Sequence, residues 1–249
     1  MARAFRCALA LLAFSIAVQL TLARASEPVD LLLVLAADVS RSVDQPKFQL
    51  QREGYAAAIA HPRVVSAITS GPNKRIAVCF VEWSGVGAQK VIVDWTLIGD
   101  PAAARRFGDQ LLEASRPFAD RTSISGAIDF AVPLFDQAPY EAARRIIDVS
   151  GDGDNNAGRD VTAARDEAVA KGITINGLVI LTENPPPWSS GHTNPPGGLE
   201  TYYRNNVIGG QGAFVITAEN FEAFGRAIIA KMVAEIAALS PRQQVSMDR

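Results

Sequence analysis

Cysteine is nearly absent from this sequence. Of 249 residues only Cys7 and Cys79 are cysteines, and Cys7 falls in a leader expected to be removed, so no intramolecular disulfide can hold the fold. Stability must come from a packed core. Histidine is equally scarce: His61 and His192 have no local carboxylate or cysteine partners, which argues against a zinc site. Neither lies near Cys79, which reads as a buried small hydrophobe and not as a nucleophile. Basic excess is missing as well. The 24 Lys and Arg face 26 Asp and Glu, a formal charge of −2 that gives no sign of a nucleic-acid surface.

Apolar runs long enough to approach a membrane span are confined to the start of the chain. Arg3 and Arg6 precede an apolar stretch from Cys7 to Leu22, and Ala23-Arg24-Ala25 follows with the pattern of a signal-peptidase site. The expectation is a signal peptide over residues 1–25 and an exported protein, periplasmic or secreted; a short membrane anchor is the alternative for the same run. No cysteine follows the cut to accept a lipid, so no stable membrane anchor is expected after cleavage. The remainder reads as one domain over residues 26–240 and a short tail over 241–249.

Within that domain strand-like and helix-like segments alternate. Val29 to Ala37 is continuously apolar, as a strand buried on both faces should be. Asp44 and Pro46 then open a helix that should stop near His61-Pro62. Further strands are expected at residues 75–83, 90–95, 145–150, 173–181 and 213–217, with a turn or short hairpin at Gly85 and Gly87. Asp100-Pro101 opens a helix, Pro133 should cut short the one that begins near Ile124, and Asp160 caps another. The last helix carries Phe221, Phe224, Ile228, Met232, Val233 and Ile236 on one face, a core stripe. The pattern predicts an α/β fold of Rossmann type: a doubly wound, mostly parallel six-stranded sheet with helices on both faces and ligands at the carboxyl ends of the strands.

Residues 183–198 (ENPPPWSSGHTNPPGG) interrupt this order with five prolines and three glycines, and form a long loop, functional or merely connecting. Glu82, Asp148 and Asn176 break apolar runs. They belong either to a polar layer beneath the strand ends or, the reading favoured here, to exposed and strand-end positions.

The first strand ends in Asp38-Val39-Ser40-Arg41-Ser42, a carboxylate and two hydroxyls at alternate positions. Curled over a strand end, such side chains offer only oxygen, the donor that hard divalent cations prefer. Thr122 and Asp152 are expected at element boundaries on the same side. The order D-x-S-x-S, then Thr, then Asp, with RTSISGAI and SGDGDNN as context, resembles the metal-ion-dependent adhesion site of von Willebrand factor A domains. Together with WSG at Ser84 and YYRNNVIGG from Tyr202, it resembles an uncharacterised branch of exported bacterial proteins with this domain.

The resemblance implies Ser40, Ser42 and Thr122 as hydroxyl ligands and Asp38 and Asp152 as carboxylates acting through water. Magnesium is the expected ion, with manganese or calcium as alternatives. It further implies a protein partner that offers an Asp or Glu to the cation's open position, and no enzymatic activity. Gly151 departs from the family, which usually has a hydroxyl residue there, and this puts a supporting hydrogen bond in doubt. Tyr202, Tyr203 and Arg204 either rim the metal face or pack the Pro-rich loop onto the sheet.

A magnesium-dependent phosphatase is the enzymatic alternative, because GDGDNN resembles the magnesium turn of haloacid-dehalogenase-like enzymes. That chemistry needs a general acid two residues after the first Asp, where this chain has Ser40. A structural domain with a vacant metal site is the third reading.

Overall fold

The computed structural model describes residues 26–182, 185 and 187–237; the expected signal peptide (1–25) and tail (241–249) lie outside the described residues. In chain order the elements are β1 (Glu27–Pro28), β2 (Leu32–Asp38), α1 (Gln45–Ile59), α2 (Pro62–Thr69), β3 (Ile76–Trp83), β4 (Gln89–Ile98) and α3 (Pro101–Glu113). There follow α4 (Ile124–Ala131), α5 (Leu134–Gln137), β5 (Tyr140–Glu141), β6 (Arg145–Gly151), α6 (Val161–Ala170), β7 (Thr174–Ile180), α7 (Ser190–Thr193), α8 (Leu199–Tyr202), β8 (Val215–Ala218) and α9 (Phe224–Ala237). A π-helical turn, Tyr203–Val207, extends α8.

Six strands form the main sheet in the order β4-β3-β2-β6-β7-β8. All its pairings are parallel except the β3–β4 hairpin at one edge. Every residue of β2 is buried, and its alternation feeds two cores. Leu33, Leu35 and Ala37 pack with residues of α1, α2, α3 and α9, whereas Leu32, Val34 and Ala36 pack with α4 and α6. The chain winds outward from β2 through β3 and then crosses to β6 on the other side, so the topological switch point lies between β2 and β6. Crevices at the carboxyl ends of such a strand pair are where doubly wound sheets hold ligands.

Local signals in the sequence set most boundaries. The Asp44 carboxylate accepts from Lys47 N–H at 3.0 Å to cap α1, and α4 ends before Pro133. Pro62 does more than stop α1: with the His61 ring accepting Arg63 N–H at 3.2 Å, it starts α2, which the sequence reading lacked.

Glu82, Asp148 and Asn176 are buried, which corrects the expectation of exposed or strand-end positions. Each has found a partner from a helix. Arg52 of α1 grips Glu82 through two nitrogens, at 2.8 and 3.0 Å. On the other side of β2, Lys231 and Glu235 of α9 meet Asp148 and Asn176: the ammonium lies 2.6 Å from Asp148 and 2.5 Å from Glu235, and the Asn176 amide donates to Glu235 at 2.8 Å. Burial of these groups is tolerable only because they are paired.

Candidate metal centre

Asp38 ends β2 and Asp152 immediately follows β6, so two carboxylates flank the switch point from neighbouring strands. The loop that follows Asp38 is drawn into a turn by its own side chains and by Asp152. Asp38 Oδ1 accepts Ser40 N–H at 2.7 Å, the Ser40 and Ser42 hydroxyls lie 3.1 Å apart, and Ser42 Oγ donates to Asp152 Oδ1 at 2.5 Å. Arg116 fixes the backbone from below, its Nη2 donating to the carbonyls of Val39 and Val43 at 2.7 Å each.

Thr122 arrives from the loop before α4, where the Ser123 hydroxyl caps the helix by accepting Gly126 N–H at 3.1 Å. The two asparagines of SGDGDNN clasp this loop. Asn156 Oδ1 accepts Thr122 N–H at 3.0 Å, Asn156 N–H returns a bond to Thr122 O at 3.0 Å, and Asn155 Oδ1 accepts Ser125 N–H at 3.0 Å. The structure therefore joins Asp38, Ser40, Ser42 and Asp152 in one chain of hydrogen bonds. Thr122 stands outside that chain: it shares a small cavity of about 210 Å³ with Ser42, and its hydroxyl meets a residue that sequence reasoning dismissed.

That residue is His192. Its Nε2 lies 3.0 Å from Thr122 Oγ1 and its Nδ1 lies 2.5 Å from Asp154 Oδ1. The sequence shows no local carboxylate partner for either histidine, and none is local: the partner of His192 is 38 positions away and is brought to it by the fold. It also resolves the Pro-rich segment: residues 187–193 fold over the strand ends, with His192 facing inward and Trp188 exposed at the rim.

All five predicted residues are buried. Asp38 Oδ2 and Asp152 Oδ2 make no hydrogen bond among the described residues, and the nearest cation to Asp152 Oδ2 is Lys47, 4.0 Å away. Burial, followed by the proximity of Asp152, pushes the Asp38 carboxyl up to about 7. Burial raises that of Asp152 too. His192 is also raised: burial opposes its cation, but the hydrogen bond and charge of Asp154, with the charges of Asp38 and Asp152, outweigh it.

Two crowded carboxylates with orphaned oxygens, beside three hydroxyls, suit a hard divalent cation, which would relieve both the repulsion and the lost hydration. Among the described residues no three His, Cys, Asp or Glu side chains are disposed to hold a metal by themselves. Such a seat depends on its hydroxyl oxygens.

The departure at Gly151 has a physical cause. A β-carbon there would stand 2.6 Å from the Tyr203 hydroxyl and 3.1 Å from Asp38 Oδ2. The Tyr203 phenol, fully buried, fills the space a side chain at 151 would take and brings its own hydroxyl under the site. Tyr202 accepts Asn155 N–H at 3.1 Å, while Arg204 pairs with Glu200 at the surface. Tyr203 thus packs beneath the candidate site, and Tyr202 braces the Asn155 turn beside it.

Residues 28–240 match the family described as Protein of unknown function (DUF1194). No curated protein matches the chain. Among solved structures the fold is similar to proximal thread matrix protein 1 of the mussel byssus, with a TM-score of 0.62 at 12% identity, covering 85% of this chain and 49% of that one. It is also similar to the pilus adhesin SpaC of Lactobacillus rhamnosus GG, with a TM-score of 0.58 at 11% identity over 84% of this chain and 31% of that one. A von Willebrand factor type A protein of Catenulispora acidiphila gives 0.50 at 16% identity over 84% and 43%. The chain spans about half the length of the mussel protein and less of the other two. These likenesses establish a von Willebrand factor A-like fold.

Proposed function

The chain belongs to the DUF1194 family of proteins of unknown function, and from that premise we propose that it is an exported, non-enzymatic module that binds a protein partner through a divalent cation. The observation that carries this reading is the pair of buried oxygens of Asp38 and Asp152 that make no hydrogen bond among the described residues, beside the hydroxyls of Ser40, Ser42 and Thr122. Those five residues would hold the ion, and on these oxygen donors alone magnesium is the first choice. A divalent cation bound there supplies an electrophilic, incompletely filled coordination shell able to accept a partner's Asp or Glu. The chain's own part is to fix the donors: Arg116 sets the DVSRS backbone, and Asn155 and Asn156 set the Thr122 loop. Exposed Arg41 and Arg121 line the same opening with Asp120, two cations against one carboxylate, a balance that favours an acidic visitor.

The similar folds include a pilus adhesin and a byssus matrix protein, one form of the latter with a zinc-occupied MIDAS motif, which supports both the adhesive role and a divalent ion. The test is a thermal-shift titration with Mg²⁺ or Mn²⁺. Binding to the folded state alone raises stability by about 2.7 kcal/mol at a hundredfold excess over Kd, several degrees in Tm. Asp38→Ala should abolish the rise. An unresponsive wild type, or an equal response in Asp38→Ala, would sink the proposal.

One observation favours a second reading, hydrolysis: Thr122 Oγ1, the His192 ring and the Asp154 carboxylate stand in the order of nucleophile, base and orienting acid. Thr122 is only 1% exposed, which weighs against it. Turnover of p-nitrophenyl esters or phosphates by wild type, lost in Thr122→Ala, would establish this reading in place of the first.

A further inference from the structure

Adhesion-type sites are built from oxygen, yet here a nitrogen faces the same opening. The His192 ring lines the cavity with Ser42 and Thr122, its side chain is 13% exposed, and its Nε2 is turned toward Thr122 Oγ1. The other face of the ring is locked. Nδ1 meets the Asp154 carboxylate at 2.5 Å, and Asp154 N–H donates to His192 O at 3.1 Å, so side chain and backbone are tied to the loop that follows Asp152. A carboxylate on one imidazole nitrogen selects the tautomer that carries its proton there and leaves a lone pair on the other, the arrangement by which proteins prepare a histidine for a metal.

Space has been cleared for that ring. A β-carbon on Gly153 would stand 2.0 Å from Nε2, a collision, although Gly153 has no left-handed backbone that would otherwise call for glycine.

We propose that His192 is a further donor to the cation of this site, and that the site is consequently built for a borderline transition-metal ion of zinc's class in preference to magnesium. The inference rests on the metal-dependent reading above. Imidazole contributes little to magnesium, which keeps oxygen ligands, but binds zinc well. His192 would then occupy a position otherwise open to a partner's carboxylate, so the loop that carries it sets both the choice of metal and access to it.

Calorimetric titration of the purified protein with Zn²⁺ and with Mg²⁺, and pulsed electron paramagnetic resonance of the Mn²⁺-loaded protein, test this. Wild type should prefer zinc, and the Mn²⁺ signal should carry ¹⁴N modulation from a coordinated imidazole. His192→Ala should lose the modulation and reduce the zinc-over-magnesium preference on the order of tenfold or more. Asp154→Asn keeps the ring and an oxygen able to accept its Nδ1 proton but withdraws the carboxylate charge, and should show a smaller loss of the same kind. The resonance on wild type needs no variant, so a misfolded His192→Ala would not shelter the idea. Metal binding that Asp38→Ala abolishes, but without ¹⁴N modulation and with an unaltered preference in His192→Ala, overturns this proposal alone. Absence of binding, or indifference to Asp38→Ala, overturns the metal-dependent reading and this inference with it.

Discussion

Gly151 is a position where any side chain collides with the Tyr203 hydroxyl and crowds the Asp38 carboxylate. Its φ is not left-handed, so the demand for glycine is steric and not conformational. Gly151→Ser, which puts a hydroxyl residue there, should therefore cost about 1–3 kcal/mol, the range for overfilling a packed site. Tyr203→Phe removes one of the colliding atoms and a hydroxyl that makes no hydrogen bond among the described residues, so the double variant should recover part of the loss. Urea unfolding in chelator checks both; an additive pair would show that the two residues do not compete for one space. This pairing of positions 151 and 203 could not be read from sequence, because the residues are remote until β7 brings Tyr203 against Gly177. The five candidate residues could be picked out in the sequence for the opposite reason. Each lies at an element boundary whose own local signals, a strand end or a helix cap, place it. His192 sits in a Pro-rich segment with no such signal, and its partner Asp154 becomes visible only in three dimensions.

Helix α1 shows what an element needs beyond its amphipathic pattern. Its apolar positions Phe48, Tyr55 and Ile59 were legible as a core face, but Arg52 is buried on that helix too and reaches across to Glu82 on β3. The same guanidinium donates to the carbonyls of Ala114 and Ser115, tying α1, β3 and the end of α3 together. Periodicity cannot reveal such a group, since a charged residue in a helix reads as solvated. Arg52→Met should leave Glu82 buried without its cation and cost about 3–5 kcal/mol. Replacing both residues with apolar ones of similar volume, as in Arg52→Met with Glu82→Leu, should restore much of that stability. Urea midpoints of the three proteins decide the matter, and a harmless single variant would mean that water, not Arg52, satisfies Glu82.

At the scale of the whole molecule the alternation of strands and helices was enough to foresee a doubly wound sheet, because burial on both faces writes itself into β2 as an unbroken apolar run. What alternation could not foresee is how the last helix is anchored. Along α9 the stripe of Phe224, Ile228, Met232 and Ile236 is joined by Lys231 and Glu235, both fully buried against Asp148. Two carboxylates share one ammonium there, with the Tyr55 phenol of α1 close enough to feel Asp148. Burial, and then the charge of Glu235, push the Asp148 carboxyl up to about 7, against the pull of Lys231. The sign follows from proton counting. Between the ordinary carboxylate range near 4 and about 7, folded Asp148 keeps a proton that the unfolded chain has released, so folding is favoured at the acid end of that window and loses stability as pH rises through it. One such proton is worth up to about 1.4 kcal/mol per pH unit. Asp148→Asn, which imitates the protonated group at every pH, should flatten the dependence measured by urea unfolding between pH 5 and 7 in chelator. Some slope should survive, because Asp38 is raised in the same direction. If the variant and wild type lose stability in parallel across that range, Asp148 is already ionised in the folded protein and Lys231 alone balances both carboxylates.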